Sequence, residues 1–147
     1  MGFFIEITVK NKNKLIYWTL LIALSSLVHF SLTIIISIII TVLGVTILPN
    51  VIDWIFPKFI DAKDAIQIMS LGIIPATISI LYSSKFLGME KSKFVMITKL
   101  VSLGILIGGF LYFGPIYGTV GLAWVIVTAL TWESIFLFIM NRTLKAS

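Results

Sequence analysis

From Leu15 to Leu48 the chain runs without a single Asp, Glu, Lys or Arg. As one helix, rising about 1.5 Å per residue, this stretch would be about 50 Å long, against a hydrocarbon core of roughly 30 Å. It must tilt, kink or protrude at one end. Its Ile34-Ile35-Ile36 and Ile38-Ile39-Ile40 triplets would favour strand in water. In lipid a lone strand leaves its backbone unpaired, so helix wins. Tyr17 and Trp18 stand near its start, where an interfacial aromatic belt is expected.

Composition extends this reading to the whole chain. Hydrophobic residues make up 59% and charged residues only 12%, whereas an ordinary soluble domain is about half apolar and a quarter charged. An integral membrane protein follows. The net charge is +5, but the lysines sit at the ends of apolar runs and form no basic stripe with interleaved aromatics. Nucleic acid is therefore not an expected partner. The absence of cysteine excludes disulfides, thiolate zinc sites and a cysteine nucleophile. One histidine and six scattered carboxylates argue against a metal site. No GxxxxGK[ST] motif is present, so no ATP hydrolysis is built in, and no cofactor is expected. The first residues do not form a signal peptide: Glu6 interrupts them, and they lack a basic n-region and a small-residue cleavage site.

Residues 1–14 read as a cytoplasmic leader that closes on the basic stop Asn11-Lys12-Asn13-Lys14. Four spans follow, at about 15–48, 65–84, 94–113 and 120–140. Between the first two, Val51 to Phe56 looks like a short interfacial helix, in a segment punctuated by Pro49 and Pro57. The second and third spans are separated by Ser84–Lys93, a charged island that has to turn in water. An uncharged turn, Gly114–Gly121, separates the third from the fourth. The expected fold is all-α, an integral membrane bundle of four transmembrane helices.

Lysine and arginine set the orientation. Short loops rich in these residues stay in the cytoplasm. Lys10, Lys12, Lys14, Lys85, Lys91, Lys93, Arg142 and Lys145 then fall inside, and only Lys58 and Lys63 outside. The chain is placed in the plasma membrane, multi-pass, with both termini cytoplasmic.

Ionisable residues inside spans are the functional candidates, because each is costly there unless paired. Counting from Phe94, Lys99 lies about 8 Å into the membrane; counting from Met140, Glu133 lies about 10 Å in. Their depths match from the same side, so they could pair between the third and fourth helices. The competing reading has Lys99 snorkelling to the headgroups and Glu133 facing Thr131 and Ser134. His29, near the middle of the first span with Ser25 and Ser26 one turn before it, is a candidate proton relay or a hydrogen-bonded structural histidine. Pro75, after Gly72, removes a backbone hydrogen bond in the second span and is a hinge candidate; Thr77 and Ser79 could satisfy the freed carbonyl. Gly104 and Gly108 have the GxxxG spacing that lets helices approach closely. No nucleophile–base constellation lies within the spans, so an enzyme is not expected.

Three segments carry a resemblance: Phe56–Ala65 before the second span, Phe86–Ser92 at the cytoplasmic hairpin, and Tyr117–Ala123 at the entry to the fourth span. In this order and spacing they resemble the C-terminal region of the polysaccharide biosynthesis (O-antigen flippase) family, related to the multidrug and toxin extrusion transporters. That resemblance implies a partial C-terminal lobe of a larger transporter. The whole would move a polyprenyl-linked sugar across the membrane by alternating access without ATP, and its partners would be membrane lipids and a separately encoded N-terminal lobe. Members of that family have roughly twelve to fourteen helices, and these residues supply four. The alternative is a stand-alone small homo-oligomeric transporter, similar to the small multidrug resistance class. Against it, the charge bias here is strong, and the membrane glutamate is in the fourth helix.

Overall fold

The computed structural model describes the backbone of residues 2–146. All regular structure among them is helical. Five α-helices follow one another: α1 (Gly2–Thr46), α2 (Leu48–Ile55), α3 (Lys63–Leu71), α4 (Ile73–Gly88) and α5 (Ser92–Ala146), with a 3-10 segment, Pro57–Ala62, between α2 and α3. By length and composition three stretches could cross a membrane: Ile16–Thr46, Ile60–Gly88 and Ser92–Thr143. The side chains of the expected leader lie outside the described residues up to Asn13; its backbone from Gly2 belongs to α1.

By its contacts the chain divides into two units, Met1–Thr33 and Ile34–Ser147. In the first, side chains from Ile16 to Leu32 are exposed. Their hydroxyls close on their own helix: Thr19 donates to the Ile16 carbonyl, Ser26 to Ala23, Ser31 to Leu27 and Thr33 to His29. That arrangement hides polar atoms on a surface made of Leu, Ile, Val and Phe.

The second unit is organised by one break. At Gly118 the backbone of α5 leaves the helical region, with φ at 57° and ψ at −139°. Glycine populates that region without a Cβ penalty. The chain doubles back there, giving α5 two antiparallel arms, residues 92–117 and 119–146. The expected turn, 114–121, is thus narrowed to a single non-helical residue, and helix continues through Pro115. A Cβ on Gly121 would stand 2.7 Å from the Phe113 carbonyl oxygen, and one on Gly109 would overlap the Val125 side chain. These two glycines are where the arms touch. Gly104 and Gly108 have nothing within 4 Å of a would-be Cβ. The GxxxG pair therefore does not serve the hairpin, because its face points away from the second arm.

α4 packs along both arms. At its C-terminal end, Lys91 donates its backbone N–H to the Phe86 carbonyl (2.9 Å), and Glu90 donates to Leu87 (3.0 Å). Glu90 has φ 58°, so the pattern is a Schellman cap with glutamate in the left-handed position. The charged island expected to turn does so, and within it the non-helical residues are only Met89 to Lys91. Phe86, almost wholly buried, meets Phe94 across this turn at 5.9 Å between ring centroids. On the other side Tyr82 stands edge-on to Phe138 at 6.0 Å, and the Lys85 ammonium donates to the Asn141 side-chain oxygen at 2.6 Å. α4 and the second arm therefore run parallel, and the first arm runs against both.

Pro75 has no N–H to give the Leu71 carbonyl four residues earlier. The second span accordingly breaks into α3 and α4 at Gly72, whose N–H turns tightly onto Met69 (2.9 Å) before helix restarts with Ala76 on Gly72 (2.9 Å). The break lies three residues ahead of the proline itself. Neither Thr77 nor Ser79 is found on the Leu71 carbonyl: Thr77 donates to Ile73 (2.8 Å), and Ser79 is drawn elsewhere. α3 meets the end of α1 at Gly44, where a Cβ would stand 2.6 Å from the Ser70 hydroxyl, and Gln67 donates to the Val45 carbonyl at 3.1 Å. α2 buries Pro49 and Ile52 and leaves Trp54 exposed; its Asp53 pairs with Lys63 at 2.5 Å.

Overpacking a close helix contact costs about 1–3 kcal/mol. Gly109→Leu should destabilise the chain by that amount in thermal or denaturant unfolding in detergent. Gly104→Leu should stay within about 0.5 kcal/mol of wild type, as open-surface changes do. Equal losses at both positions would show that the arms do not meet at Gly109.

Candidate functional site

A carboxylate on the inner face of a membrane helix has no water to solvate it. It is stable only where other groups supply charge and hydrogen bonds. Glu133 on the second arm of α5 is such a residue, with its side chain 5% exposed. The Lys99 ammonium, on the first arm, forms an ion pair with its Oε2. The Ser79 hydroxyl, on α4, donates to the same oxygen at 2.7 Å. Ser102, one turn beyond Lys99 on the first arm, also faces the carboxylate. Ser79 and Ser102 are both buried. One carboxylate thus ties together α4 and the two arms of α5.

The antiparallel hairpin is what places the two charges together. With its turn at Gly118 and its arms in contact at Gly109 and Val125, Lys99 falls opposite Glu133. α4 then delivers Ser79, since Lys85 is fixed to Asn141 further along the same parallel pair. Lys99 approaches from outside: its side chain is 53% exposed while its ammonium reaches inward. The alternative environment for Glu133 is not what the structure shows. The Thr131 hydroxyl donates to Val127 (2.7 Å) and the Ser134 hydroxyl to Thr131 (2.9 Å), both on their own helix.

Ser79 was not singled out as a partner for Glu133 from the sequence. The signal was there: Ser79 stands six residues before Lys85 and Glu133 eight before Asn141, so both lie at similar depth from one basic end. Ser83, one turn from Ser79 towards that end, has a buried hydroxyl without a hydrogen-bond partner. At the same end the Arg142 guanidinium sits 4.8 Å from the centroid of the Phe138 ring.

Neither of the other two sequence candidates is among the partners of Glu133. His29 is exposed and belongs to the first unit; its backbone carbonyl takes the Thr33 hydroxyl, and Ser26 is committed to Ala23. Pro75 lies one turn before Ser79 on α4. Among the described residues no group of three or more His, Cys, Asp or Glu comes together. Beside the hairpin turn, a groove of about 390 Å³ is lined by Phe113, Tyr117, Val120, Gly121 and Trp124, with Phe113 and Tyr117 stacked at 6.0 Å.

Comparison of the chain with family models, with curated proteins and with solved structures finds no match in any of the three.

Side chains that share a buried charge couple energetically, commonly by about 1–3 kcal/mol in a double-mutant cycle. Lys99→Met and Glu133→Gln should each destabilise, and the double variant should lose less than the sum of the singles by that margin. Strict additivity would sink the pair as an energetic unit.

Proposed function

We propose that the chain is a membrane-embedded portion of an exporter for lipid-linked saccharides, supplying four crossings to the wall of its translocation path. The observation that carries this reading is the Lys99–Glu133–Ser79 cluster. Ionisable residues that converge between membrane helices mark substrate or ion pathways far more often than they serve stability, since an apolar contact would hold helices together at less cost.

Two further observations support it. Ser92–Thr143 could be about 78 Å long as one straight helix, over twice the hydrocarbon thickness, and Gly118 divides it into two arms that each fit one crossing. The three segments resembling the polysaccharide flippases also fall on the chain's reversals. Phe56–Ala65 covers the connection from α2 into α3, Phe86–Ser92 the capped turn into α5, and Tyr117–Ala123 the Gly118 break. In this reading the end carrying Lys85, Lys91, Lys93 and Arg142 faces the cytoplasm. The Gly118 turn and α2 face the opposite side, both termini are cytoplasmic, and a polyprenyl-linked sugar is the cargo. The wall is completed by a separate lobe.

The chain has no cysteine, so any introduced one is a unique reporter. In intact cells, an impermeant maleimide should label Gly118→Cys and Trp54→Cys, and should reach Lys91→Cys and Arg142→Cys only after the cells are opened. Labelling of Lys91→Cys and Gly118→Cys from the same side would break the topology. For the cargo, a photoactivatable polyprenyl-diphosphate sugar should label the chain in membranes, and unlabelled probe should compete while phosphatidylglycerol should not. Labelling no stronger than that of an unrelated four-helix multidrug carrier would point to the stand-alone oligomeric transporter instead.

A further inference from the structure

The partners of Glu133 have the chemistry of an alkali-cation site. Such ions are held by hard oxygen ligands: carboxylates, hydroxyls and carbonyls. Around Glu133 stand its own two carboxylate oxygens and the hydroxyls of Ser79 and Ser102, contributed by three helical segments and all buried. Among the described residues, no group of three or more His, Cys, Asp or Glu comes together here. The one cation present is an ammonium, and it is not buried along its length. Lys99 reaches in from the outer surface of the first arm with half its side chain exposed. Its ammonium is paired with Glu133 while half of the side chain remains exposed.

We propose that Glu133, Ser79 and Ser102 form a monovalent-cation site whose native occupant is the Lys99 ammonium, and that a free sodium or potassium ion takes the same place when the lysine is withdrawn. The hydroxyls can make the exchange. A serine hydroxyl has one hydrogen and two lone pairs. With the ammonium seated, Ser79 turns its hydrogen to the carboxylate. With an alkali ion seated, the hydrogen can turn to the carbonyl four residues back, which for Ser79 is that of Pro75 and for Ser102 that of Thr98. Ser70 and Ser84 already use this local bond, to Ile66 and Ile80. The freed lone pairs then face the ion. The buried, unpaired Ser83 hydroxyl lies at i+4 from Ser79 on the same helix face and gives an entering ion or water a polar step from the basic end. While Lys99 is seated, the wall keeps its charge balance without drawing an ion from solution.

This inference does not rest on the saccharide reading, because its test reads stability and not transport. The full chain in detergent is compared as wild type, Lys99→Ala, and Lys99→Ala/Glu133→Gln, in sodium, potassium and choline chloride at one ionic strength and one neutral pH. An ion that binds only the folded state at about ten times its dissociation constant raises the unfolding midpoint by several degrees. Lys99→Ala should melt about 5 °C higher or more in sodium or potassium than in choline. Wild type and the double variant should show no such difference. Three results would overturn the proposal. The first is a Lys99→Ala variant equally unstable in all three salts while the double variant folds. The second, read from an added choline sample of Lys99→Ala at pH 5, is rescue by acid and not by alkali ions, which would mean that Glu133 is neutralised by a proton. The third is a wild type that shows the same ion dependence as Lys99→Ala.

Discussion

A charge that cannot be solvated must be answered by the chain itself, and the Glu133 carboxylate imposes that demand on the fold. In hydrocarbon its burial is tolerable only if donors arrive from neighbouring helices. The second unit meets the demand from two directions at once. The first arm of α5 brings an ammonium and a hydroxyl, and α4 brings a second hydroxyl. Besides the Lys85–Asn141 hydrogen bond at the basic end of α4 and the second arm, little else between these segments is directional. Contacts such as the Tyr82–Phe138 and Phe86–Phe94 ring pairs would tolerate sliding by a fraction of a turn. The carboxylate permits no such sliding, because moving either partner segment by one residue rotates its donor about 100° away. Apolar packing supplies the attraction, and the polar cluster supplies the register.

That register depends in turn on glycine and proline. The arms of α5 can lie close enough for Lys99 to reach Glu133 because Gly109 and Gly121 present no side chain where they meet. The sharp reversal at Gly118 keeps the two arms of similar length, which matches the depth of the two charges. Pro75 breaks the second span at Gly72 and leaves Ser79 one turn into a fresh helix. The Ser79 hydroxyl is therefore attached to the part of the span that begins at the break. Any change of angle at Gly72 is transmitted to Glu133 through a single hydrogen bond.

Much of this was legible in the sequence, for identifiable reasons. Charge and hydropathy place helices and turns well in an apolar chain, because a lysine or a proline in the wrong environment is expensive. So the Ser84–Lys93 island turns as expected, and the Val51–Phe56 helix appears as α2. Lys99 and Glu133 could be matched by counting depth from a common side, since a helix converts residue number into distance. For Ser79 the same count gives a matching depth, but depth alone does not select it among the serines and threonines of the spans. Most hydroxyls here close on their own helix carbonyls, and nothing local distinguishes Ser79 from these; only the parallel register of α4 with the second arm does. The Gly104–Gly108 spacing is left unused within the second unit for a related reason. A small-residue motif says that a face could be approached, but which face is approached depends on the turn that follows, and the Gly118 turn selects Gly109.

The half-exposed side chain of Lys99 bears on how the cluster works in a membrane. An ammonium has three donors, and Glu133 accepts through Oε2. Remaining donors on a half-exposed side chain cannot face acyl chains unanswered. Of the opposed readings of this residue, snorkelling and pairing, the structure shows the ion pair, made by a side chain that is half exposed. In the proposed exchange the charge leaves by rotation about the bonds of its own side chain and not by movement of a helix. Glu133 has no such freedom, being 5% exposed and fixed from two neighbouring segments. Exchange at the site must therefore begin with the lysine, and Glu133 stays in place to receive whatever cation follows it.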